Sequence, residues 1–231
     1  MLWRLFVAAA LSALAPAVGV AAERPVVVEL FTSQGCSSCP PADEFLTDLA
    51  NRGSDILPLA FHVTYWDYLG WKDPFSLGAA TELQGLYGDR LGDGSYTPEI
   101  VVEGREGLVG SDRVRVEAAI LAARQRQTTG ASITATQREG TIAITVGAGS
   151  GNARIVVIGY DRHHQTPIGR GENVGRTSID SNVVRSMNVV GDWTGRAIDV
   201  STKAPAGEVS AVLLLDKDGR VLGAARTSPG A

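Results

Sequence analysis

The only two cysteines of the 231-residue chain, Cys36 and Cys39, stand three positions apart. An apolar run over residues 26–31 precedes them, and a helical pattern begins at Ala42. A cysteine in the first turn of a helix faces unpaired backbone N–H groups and the positive end of the helix dipole. Both favour the thiolate, which is the nucleophilic form. The second cysteine lies on the same helix face, so the pair can close a disulfide and act as a reversible redox couple.

A purely structural role for the Cys36–Cys39 pair is the alternative. A disulfide stabilises a protein largely by restricting its unfolded chain, and this effect shrinks with the length of the loop that it closes. A four-residue loop contributes roughly 2 kcal/mol, against about 3 kcal/mol for fifteen residues. Because this loop is so short, the spacing favours redox chemistry.

The first 22 residues have the pattern of a secretory signal peptide. Arg4 supplies a positive charge, residues 5–20 are apolar and alanine-rich, and small residues end at Ala22. This pattern predicts export and cleavage after Ala22. An uncleaved membrane anchor is the alternative, but Pro16 interrupts the apolar stretch, which is short for a spanning helix. We therefore expect a periplasmic or secreted protein, in an oxidising compartment where a disulfide persists.

Composition and charge narrow the class of protein further. Removal of 22 residues from 231 leaves 209, enough for one large domain or two small ones. The formal charge is −4 with both signs scattered, so the sequence lacks the basic patch of a nucleic-acid-binding protein. No later segment is apolar enough to cross a bilayer. We expect neither nucleic acid nor, after signal cleavage, a membrane as a partner.

The first half of the mature chain alternates strands and helices. Strand patterns cover residues 26–31, 56–63, 99–103 and 108–109, and helical patterns cover residues 42–51, 75–91 and 113–127. The strand–helix–strand opening predicts a parallel pair with a right-handed crossover. The last two strands are joined by a four-residue turn and must be antiparallel. In the third helix, Val114, Ala118 and Leu121 are expected to form the buried face.

Beyond residues 128–130 the sequence favours strands. Short apolar or alternating segments separated by turns occupy residues 133–137, 142–146, 155–160, 179–184, 196–200, 209–215 and 220–225. This pattern is typical of a β-sandwich-like unit. After a signal peptide over residues 1–22, we therefore predict an α/β domain over residues 23–129 and a β-rich domain over residues 130–231.

The order of elements in residues 25–127 resembles the thioredoxin fold, and the cysteine pair falls where the first core strand meets its helix. Thr97 and Pro98 stand just before the third strand. In thioredoxin-like proteins a cis-proline at that point lies against the active-site disulfide, and the backbone beside it pairs with the extended substrate. The resemblance therefore implies a cis Thr97–Pro98 bond and places both residues in the catalytic site. An ordinary trans turn proline is the alternative.

Three longer runs, over residues 29–43, 170–176 and 182–185, look like a family of exported bacterial thioredoxin-like proteins that carries only a domain-of-unknown-function label. The likeness spans nearly the whole mature chain and implies the fold rather than the reaction. The active-site loop departs from thioredoxin itself. Gly35 stands where thioredoxin has tryptophan, and Ser37-Ser38 replaces Gly-Pro between the cysteines. The intervening dipeptide helps to set the redox potential, so the resemblance assigns no direction of electron flow.

Glu29 lies within the predicted first strand. Thioredoxin has a buried acid on this strand, and Glu29 occupies a comparable place if one residue is inserted in the loop. The resemblance implies that the Glu29 carboxyl relays a proton to Cys39. A buried charge is costly unless it is paired or protonated. The alternative is a glutamate at a strand edge that points to water or pairs with an arginine.

Tyr65, Trp66, Tyr68 and Trp71 crowd one loop after the second strand. Amphipathic rings of this kind are common at recognition surfaces. We predict that residues 61–74 form a substrate-facing wall in which Tyr65, Trp66 and Trp71 bind the substrate. The alternative is that the rings cap the core.

His62 ends the second strand, and with Cys36 and Cys39 it would make a three-ligand site for copper or zinc. A packed histidine is the more frequent case, and we expect no metal or other cofactor. The sequence predicts a periplasmic or secreted thiol–disulfide oxidoreductase whose partners are protein thiols, protein disulfides or a redox partner protein. The alternatives are a copper- or zinc-binding module and a non-catalytic binding protein on a thioredoxin-like scaffold.

Overall fold

The computed structural model describes residues 24–126 and 131–230. Over these residues the chain is a mixed α/β protein with three helices and two β-sheets. The predicted signal peptide, residues 1–22, and the predicted change of composition at residues 128–130 lie outside the described residues. Among the helices described, none is long and apolar enough to span a membrane.

In the first half the observed elements follow the predicted order. They are β1 (Val26–Thr32), α1 (Pro40–Ala50), β2 (Ile56–His62), α2 (Gly78–Leu91), β3 (Glu99–Val102), β4 (Glu106–Val109) and α3 (Arg113–Arg126). Helix α1 begins at Pro40, two residues before the predicted start at Ala42, because proline is tolerated in the first turn of a helix. Cys39 is consequently the N-cap residue of α1.

The described part of the second half is built from strands. They are β5 (Ile133–Arg138), β6 (Thr141–Val146), β7 (Ala153–Pro167), β8 (Thr177–Trp193), β9 (Ile198–Lys203), β10 (Val209–Leu215), β11 (Val221–Arg226) and β12 (Ser228–Pro229). Two strands are far longer than the sequence pattern predicts, since β7 has 15 residues and β8 has 17. They form one antiparallel hairpin, and its closing turn reaches the cysteine loop.

Strands from both halves lie in one eight-stranded sheet, in the order β11-β10-β7-β8-β2-β1-β3-β4. Strands β1 and β2 are parallel, and β3 and β4 are antiparallel, as predicted. The halves meet where β2 runs parallel to β8, with Ala60 opposite Val183. Beside this pair, Asn182 Nδ2 donates a hydrogen bond to the Pro58 carbonyl at 2.8 Å. The domain division near residue 130 stays a prediction, and the sheet contains strands from both sides of it.

The remaining strands form a second sheet, in the order β12-β5-β6-β9. Its apolar side packs against β7 and β10 of the large sheet, through buried residues such as Ile142, Ile144, Ile155 and Leu214. The sandwich-like packing of the second half therefore uses strands of the shared sheet. Alternating apolar residues indicate that a strand has a buried face, but they do not identify the surface that covers it.

The two faces of β1 belong to different cores, because neighbouring side chains of a strand point to opposite sides. Val28 and Leu30 pack with α1 and α3 on one face. Val27 and Phe31 pack with α2 on the other face. Helix α1, whose N-cap residue is Cys39, thus lies on the side of the even-numbered β1 residues.

The buried face of α3 differs from the predicted one. Val114 is 80% exposed and Leu121 is 58% exposed, so the prediction of a buried Val114–Ala118–Leu121 face is wrong. The buried residues are Val116, Ala119, Ile120 and Ala123. Helix α3 carries apolar side chains on more than one side, and its packing on β1 and β3 decides which of them are buried.

Candidate functional site

Cys36 and Cys39 form a disulfide in the loop between β1 and α1, with their Cα atoms 5.4 Å apart. The Cys39 carbonyl accepts the backbone N–H groups of Ala42 and Asp43, at 2.8 and 3.1 Å, and so begins the helix. Both cysteines are 0% exposed, although the two serines between them are exposed. The disulfide therefore lies beneath the surface, at the positive end of α1.

Thr97 contacts the disulfide from the loop before β3. Its peptide bond to Pro98 is cis, the isomer expected from the sequence. The Trp66 indole N–H donates to Thr97 Oγ1 at 2.8 Å, and Thr97 Oγ1 donates to Cys36 Sγ at 3.3 Å. An indole N–H is only a donor, so it occupies a lone pair of the hydroxyl oxygen and leaves the hydroxyl proton for the sulfur. After reduction of the disulfide, this hydrogen bond favours the Cys36 thiolate.

The three aromatic residues of the predicted substrate-facing wall have different hydrogen-bond partners. Trp66 contacts Thr97 as described, and Trp71 Nε1 donates to Gln34 Oε1 at 3.1 Å, in the cysteine loop. Tyr65 instead donates its hydroxyl proton to Gln84 Oε1 on α2, at 3.0 Å. Trp71 thus contacts the cysteine loop directly, whereas Trp66 contacts Thr97, the residue that donates to Cys36 Sγ. That these rings also bind a substrate stays a prediction.

Glu29 is 0% exposed and lies on the face of β1 opposite to α1. Its Oε2 lies 2.8 Å from the hydroxyl oxygen of Tyr87, which in turn lies 3.0 Å from the carbonyl oxygen of Gly219. A phenol has one proton, so Tyr87 donates it to ionised Glu29 or to the Gly219 carbonyl. When Glu29 is protonated, its own proton can be donated to Tyr87, and both contacts are then satisfied. Burial raises the pKa of Glu29 to about 8, against the hydrogen bond from Tyr87 and with a contribution from the Glu103 carboxylate.

These contacts decide between the two interpretations of Glu29 only in part. The interpretation as a water-facing glutamate at a strand edge is wrong, because β1 lies inside the eight-stranded sheet and Glu29 is buried. The proton relay from Glu29 to Cys39 stays a prediction. The hydrogen-bond partner of Glu29 belongs to α2, on the face of β1 away from the helix that Cys39 begins.

A second acid, Asp43, lies on α1 itself, and the sequence analysis did not single it out. Its Oδ1 accepts the Thr32 hydroxyl proton at 2.7 Å. Burial raises the pKa of Asp43 to about 7, against the hydrogen bond from Thr32 and with a contribution from the Asp180 carboxylate. Asp43 also lines a cavity of about 600 Å³ between α1 and the turn end of the β7–β8 hairpin. One helical turn separates it from Cys39, so α1 carries a titratable group near the disulfide.

His62 is buried against Asp73, with His62 Nδ1 2.7 Å from Asp73 Oδ2. Burial lowers the pKa of His62, but the Asp73 carboxylate outweighs this effect and, with Asp180 and Asp43, raises the pKa to about 9. Asp73 also accepts the backbone N–H of Gln34 at 2.8 Å, which joins the ion pair to the cysteine loop. In the described part of the chain, no three His, Cys, Asp or Glu side chains are grouped so that they could hold a metal ion.

The turn between β7 and β8, residues 168–176, also contacts the cysteine loop, and we name it the hairpin tip. Asn173 Nδ2 donates to the backbone carbonyls of Gln34 and Cys36, at 3.0 and 2.8 Å. Glu172 Oε2 accepts the backbone N–H of Ser37 at 3.3 Å. In the sequence this run is a glycine-rich loop and part of the resemblance, with no role predicted for Asn173. No local pattern reveals a contact between residues 137 positions apart.

Fold and site together define a class: mixed α/β proteins with a buried, closely spaced disulfide at the start of a helix. A family model described as protein of unknown function (DUF1223) matches residues 27–215, and the chain belongs to this family. No curated protein matches the chain.

Two solved structures are similar to this protein. One is the crystal structure of a protein from Agrobacterium tumefaciens, whose sequence is 33% identical to this chain. The match has a TM-score of 0.76 and covers 87% of this chain and 92% of that one. The protein HBP35 of Porphyromonas gingivalis is 15% identical, with a TM-score of 0.62 over 90% of this chain and 78% of that one. The second likeness concerns the fold alone.

Proposed function

We propose that the chain is a thiol–disulfide oxidoreductase that reacts through the Cys36–Cys39 pair. The observation that carries the proposal is the hydrogen-bond chain from Trp66 through Thr97 to Cys36 Sγ. A structural disulfide gains little from a hydroxyl proton directed at one of its sulfur atoms, because a neutral sulfur is a weak acceptor. A thiolate gains a charge-assisted hydrogen bond, so the arrangement stabilises the reduced form of Cys36.

The proposed exchange transfers two electrons between the site and a partner. A thiolate of the partner attacks Cys36 Sγ, the Cys36–Cys39 bond breaks, and Cys39 leaves as a thiolate that takes up a proton. The partner's second thiolate then attacks the partner sulfur of the mixed disulfide and releases the Cys36 thiolate. The partner leaves with a disulfide and the site keeps two reduced cysteines. The reverse sequence of steps reduces a partner disulfide.

A thioredoxin-like arrangement of the first half supports the proposal. Strands β2, β1, β3 and β4 are neighbours in this order, α1 and α3 cover one face, and α2 covers the other. The cysteine loop contacts Thr97, whose bond to Pro98 is cis, and the resemblance to thioredoxin-like proteins implies both features. We infer a thioredoxin-like unit to which the second half adds strands. Because fold does not establish a reaction, the hydroxyl contact to Cys36 carries more weight than this likeness.

Location and partners follow from the same proposal. The signal-peptide pattern of residues 1–22 favours an oxidising compartment, the periplasm or the exterior. The partners in this proposal are protein thiols or disulfides, and the disulfide itself is the redox group, so no further cofactor takes part. A metal-binding function is less favoured, because His62 is paired with Asp73.

Trapping of mixed disulfides tests the reaction. With Cys39 replaced by alanine, the mixed disulfide at Cys36 cannot be resolved, so covalent complexes should accumulate and appear on non-reducing gels. A reducing agent should release them, and Cys36→Ala is the control that should form none. A reduction potential of the pair between about −120 and −230 mV would agree with catalysis. A potential below about −300 mV without trapped complexes would favour a structural disulfide or a non-catalytic binding protein.

The hydrogen-bond chain to Cys36 has its own test, in the Cys39→Ala background. Thr97→Val removes the donor and Trp66→Phe removes the group that orients it, so each should raise the thiol pKa of Cys36 by about 1 unit. The rate of alkylation against pH measures this pKa. Trp71→Phe is the matched control, because that indole bonds Gln34 instead of Thr97. The double variant should equal Thr97→Val alone, and additive shifts would contradict the orienting role of the indole.

A further inference from the structure

The disulfide of the proposed redox site is closed to partners in this structure. Both Cys36 and Cys39 are 0% exposed, while Ser37 and Ser38 between them are exposed. Thiol–disulfide exchange requires an attacking thiolate to reach a sulfur atom. A segment that buries the sulfur atoms must therefore move before a protein partner can react with Cys36.

The hairpin tip contacts the cysteine loop and has few buried residues of its own. Of its nine residues only Ile168 and Asn173 are buried, and Val174 is 61% exposed. Gly171 and Gly175 have φ angles of +76° and +82°, which only glycine adopts without strain. A segment with few buried apolar contacts opens locally at a small cost in free energy.

Asn173 is the residue through which the tip holds the cysteine loop. It is 3% exposed, and its amide has two N–H groups, one for each of the carbonyls of Gln34 and Cys36. These carbonyls flank the segment Gly35–Cys36, so the same two bonds fix the backbone from which the Cys36 side chain extends. The bond between Glu172 and the Ser37 backbone is longer and exposed, and it contributes less.

We propose that Asn173 is a positioning residue of the redox site, which latches the hairpin tip over the cysteine loop until its release admits a partner to Cys36. This inference rests on the proposed function, because access matters only if Cys36 exchanges disulfides. Loss of two hydrogen bonds from a buried amide should raise the open population, and with it the reactivity of Cys36, about 10- to 100-fold. The thiol pKa of Cys36 should change little, because Thr97 rather than Asn173 contacts the sulfur.

The test compares Asn173→Ala with its parent in the Cys39→Ala background, where Cys36 is the single thiol. Iodoacetamide and a long polyethylene-glycol maleimide serve as small and bulky probes, and alkylation rates are measured against pH. The limiting rate at high pH reports access to the sulfur, and the midpoint reports its pKa. We expect the limiting rate to rise about tenfold or more, and further with the bulky probe, at an unchanged midpoint.

Asn182→Ala is the matched control for a general loss of stability. Asn182 also donates to a backbone carbonyl, that of Pro58, and its φ of +49° strains an alanine, but it holds no part of the cysteine loop. An equal rise in rate for Asn173→Ala and Asn182→Ala would mean general unfolding. No rise for Asn173→Ala would mean that the tip does not guard Cys36. Either result overturns the latch.

A second variant keeps the test decisive if Asn173→Ala does not fold. Asn173→Asp preserves the size of the side chain but turns its donors into acceptors that face two carbonyls, so it should also raise the limiting rate. The rates do not depend on any redox partner. If Cys39→Ala traps no complexes while Asn173→Ala still opens the site, the proposed function fails and the latch stands.

Discussion

Replacement of Glu29 by glutamine should remove a pH-dependent loss of stability that the buried carboxyl imposes on the fold. The pKa of Glu29 is about 8 in the folded protein, mainly because of burial, against an ordinary value of 4.5. Between these values the unfolded chain releases its proton and the folded protein keeps it, so stability falls as pH rises. Below pH 4.5 both states are protonated and above about pH 8 both are ionised, so the loss is confined to this interval.

The magnitude of the loss follows from the two pKa values. Each pKa unit corresponds to about 1.4 kcal/mol, so a rise from 4.5 to about 8 amounts to at most about 5 kcal/mol. Relaxation around the ionised carboxylate reduces this figure, and we expect about 2 to 5 kcal/mol. Glutamine cannot ionise, and its amide N–H can donate to Tyr87 as the protonated carboxyl does. The variant should therefore match the wild type near pH 4.5 and exceed it by about 2 to 5 kcal/mol at pH 9.

Urea denaturation from pH 4.5 to 9, followed by tryptophan fluorescence with the disulfide intact, gives the free energies of unfolding. The difference between variant and wild type is the informative quantity, because the raised pKa values of His62 and Asp43 also reduce stability as pH rises. Glu82→Gln, an exposed position on α2, is the matched control and should leave the pH dependence unchanged. A constant difference between Glu29→Gln and wild type would mean that Glu29 is ionised in the folded protein, and would refute the chain from Glu29 through Tyr87.

Three further predictions concern the α3 face, a close backbone approach and the buried histidine. Ile120→Ala should lower the free energy of unfolding by about 2 to 5 kcal/mol in urea, because the side chain is 2% exposed. Gly104→Ala should lower the melting temperature sharply, since φ is +60° and a Cβ would meet the backbone of the β10–β11 turn at 2.1 Å. Asp73→Asn should lower the pKa of His62 from about 9, as followed by NMR of the imidazole protons. In the wild type the His62–Asp73 pair stabilises the fold fully below pH 6.5, and this stabilisation is lost as pH rises through about 9. The Asp73→Asn variant should not show this loss of stability.

Matched control substitutions separate the effects expected at Ile120 and Gly104 from those of any substitution in the same kind of element. Leu121→Ala is the neighbour of the α3 substitution, and its 58% exposure predicts a change within about 1 kcal/mol. Gly140→Ala shares a positive φ, +75°, with nothing within 4 Å, so it should cost only the backbone strain of about 1 kcal/mol. Equal effects within either pair would contradict the buried packing of Ile120 or the close backbone approach at Gly104. A His62 pKa that stays near 9 without Asp73 would contradict the Asp73 carboxylate as the main cause of the raised pKa.

Local sequence patterns were sufficient to predict the helices and strands of the first half and the position of the cysteines between a strand and a helix. Periodicity predicted three helices and four strands there, with bounds that differ from the observed ones by at most three residues. The same reasoning failed for α3, where apolar residues occur on more than one side of the helix and only the position of the sheet selects Ile120 over Leu121. It also underestimated β7 and β8, because long hairpin strands carry many exposed polar residues.

The candidate site shows the same limit. Sequence spacing identified Cys36 and Cys39, the resemblance to thioredoxin-like proteins indicated the Thr97–Pro98 bond, and Trp66 was predicted as one member of an aromatic cluster. The sequence gave no role to Asn173, whose two hydrogen bonds reach the cysteine loop from the second half of the chain. It also left out Asp43 and Asp73, because an isolated aspartate in a sequence does not reveal that the fold will bury it, as with Asp73, or half-bury it, as with Asp43.

The sequence by itself determined that this protein carries a closely spaced cysteine pair at the start of a helix. Such a feature depends only on residues that are close in the sequence and on the regular backbone geometry of a helix. Only the tertiary structure decided what surrounds the pair, since Thr97 and Asn173 lie 61 and 137 positions from Cys36. Contacts over such separations depend on how whole strands pair and pack. The free energy of that packing comes from the entire core, so no local sequence pattern predicts it.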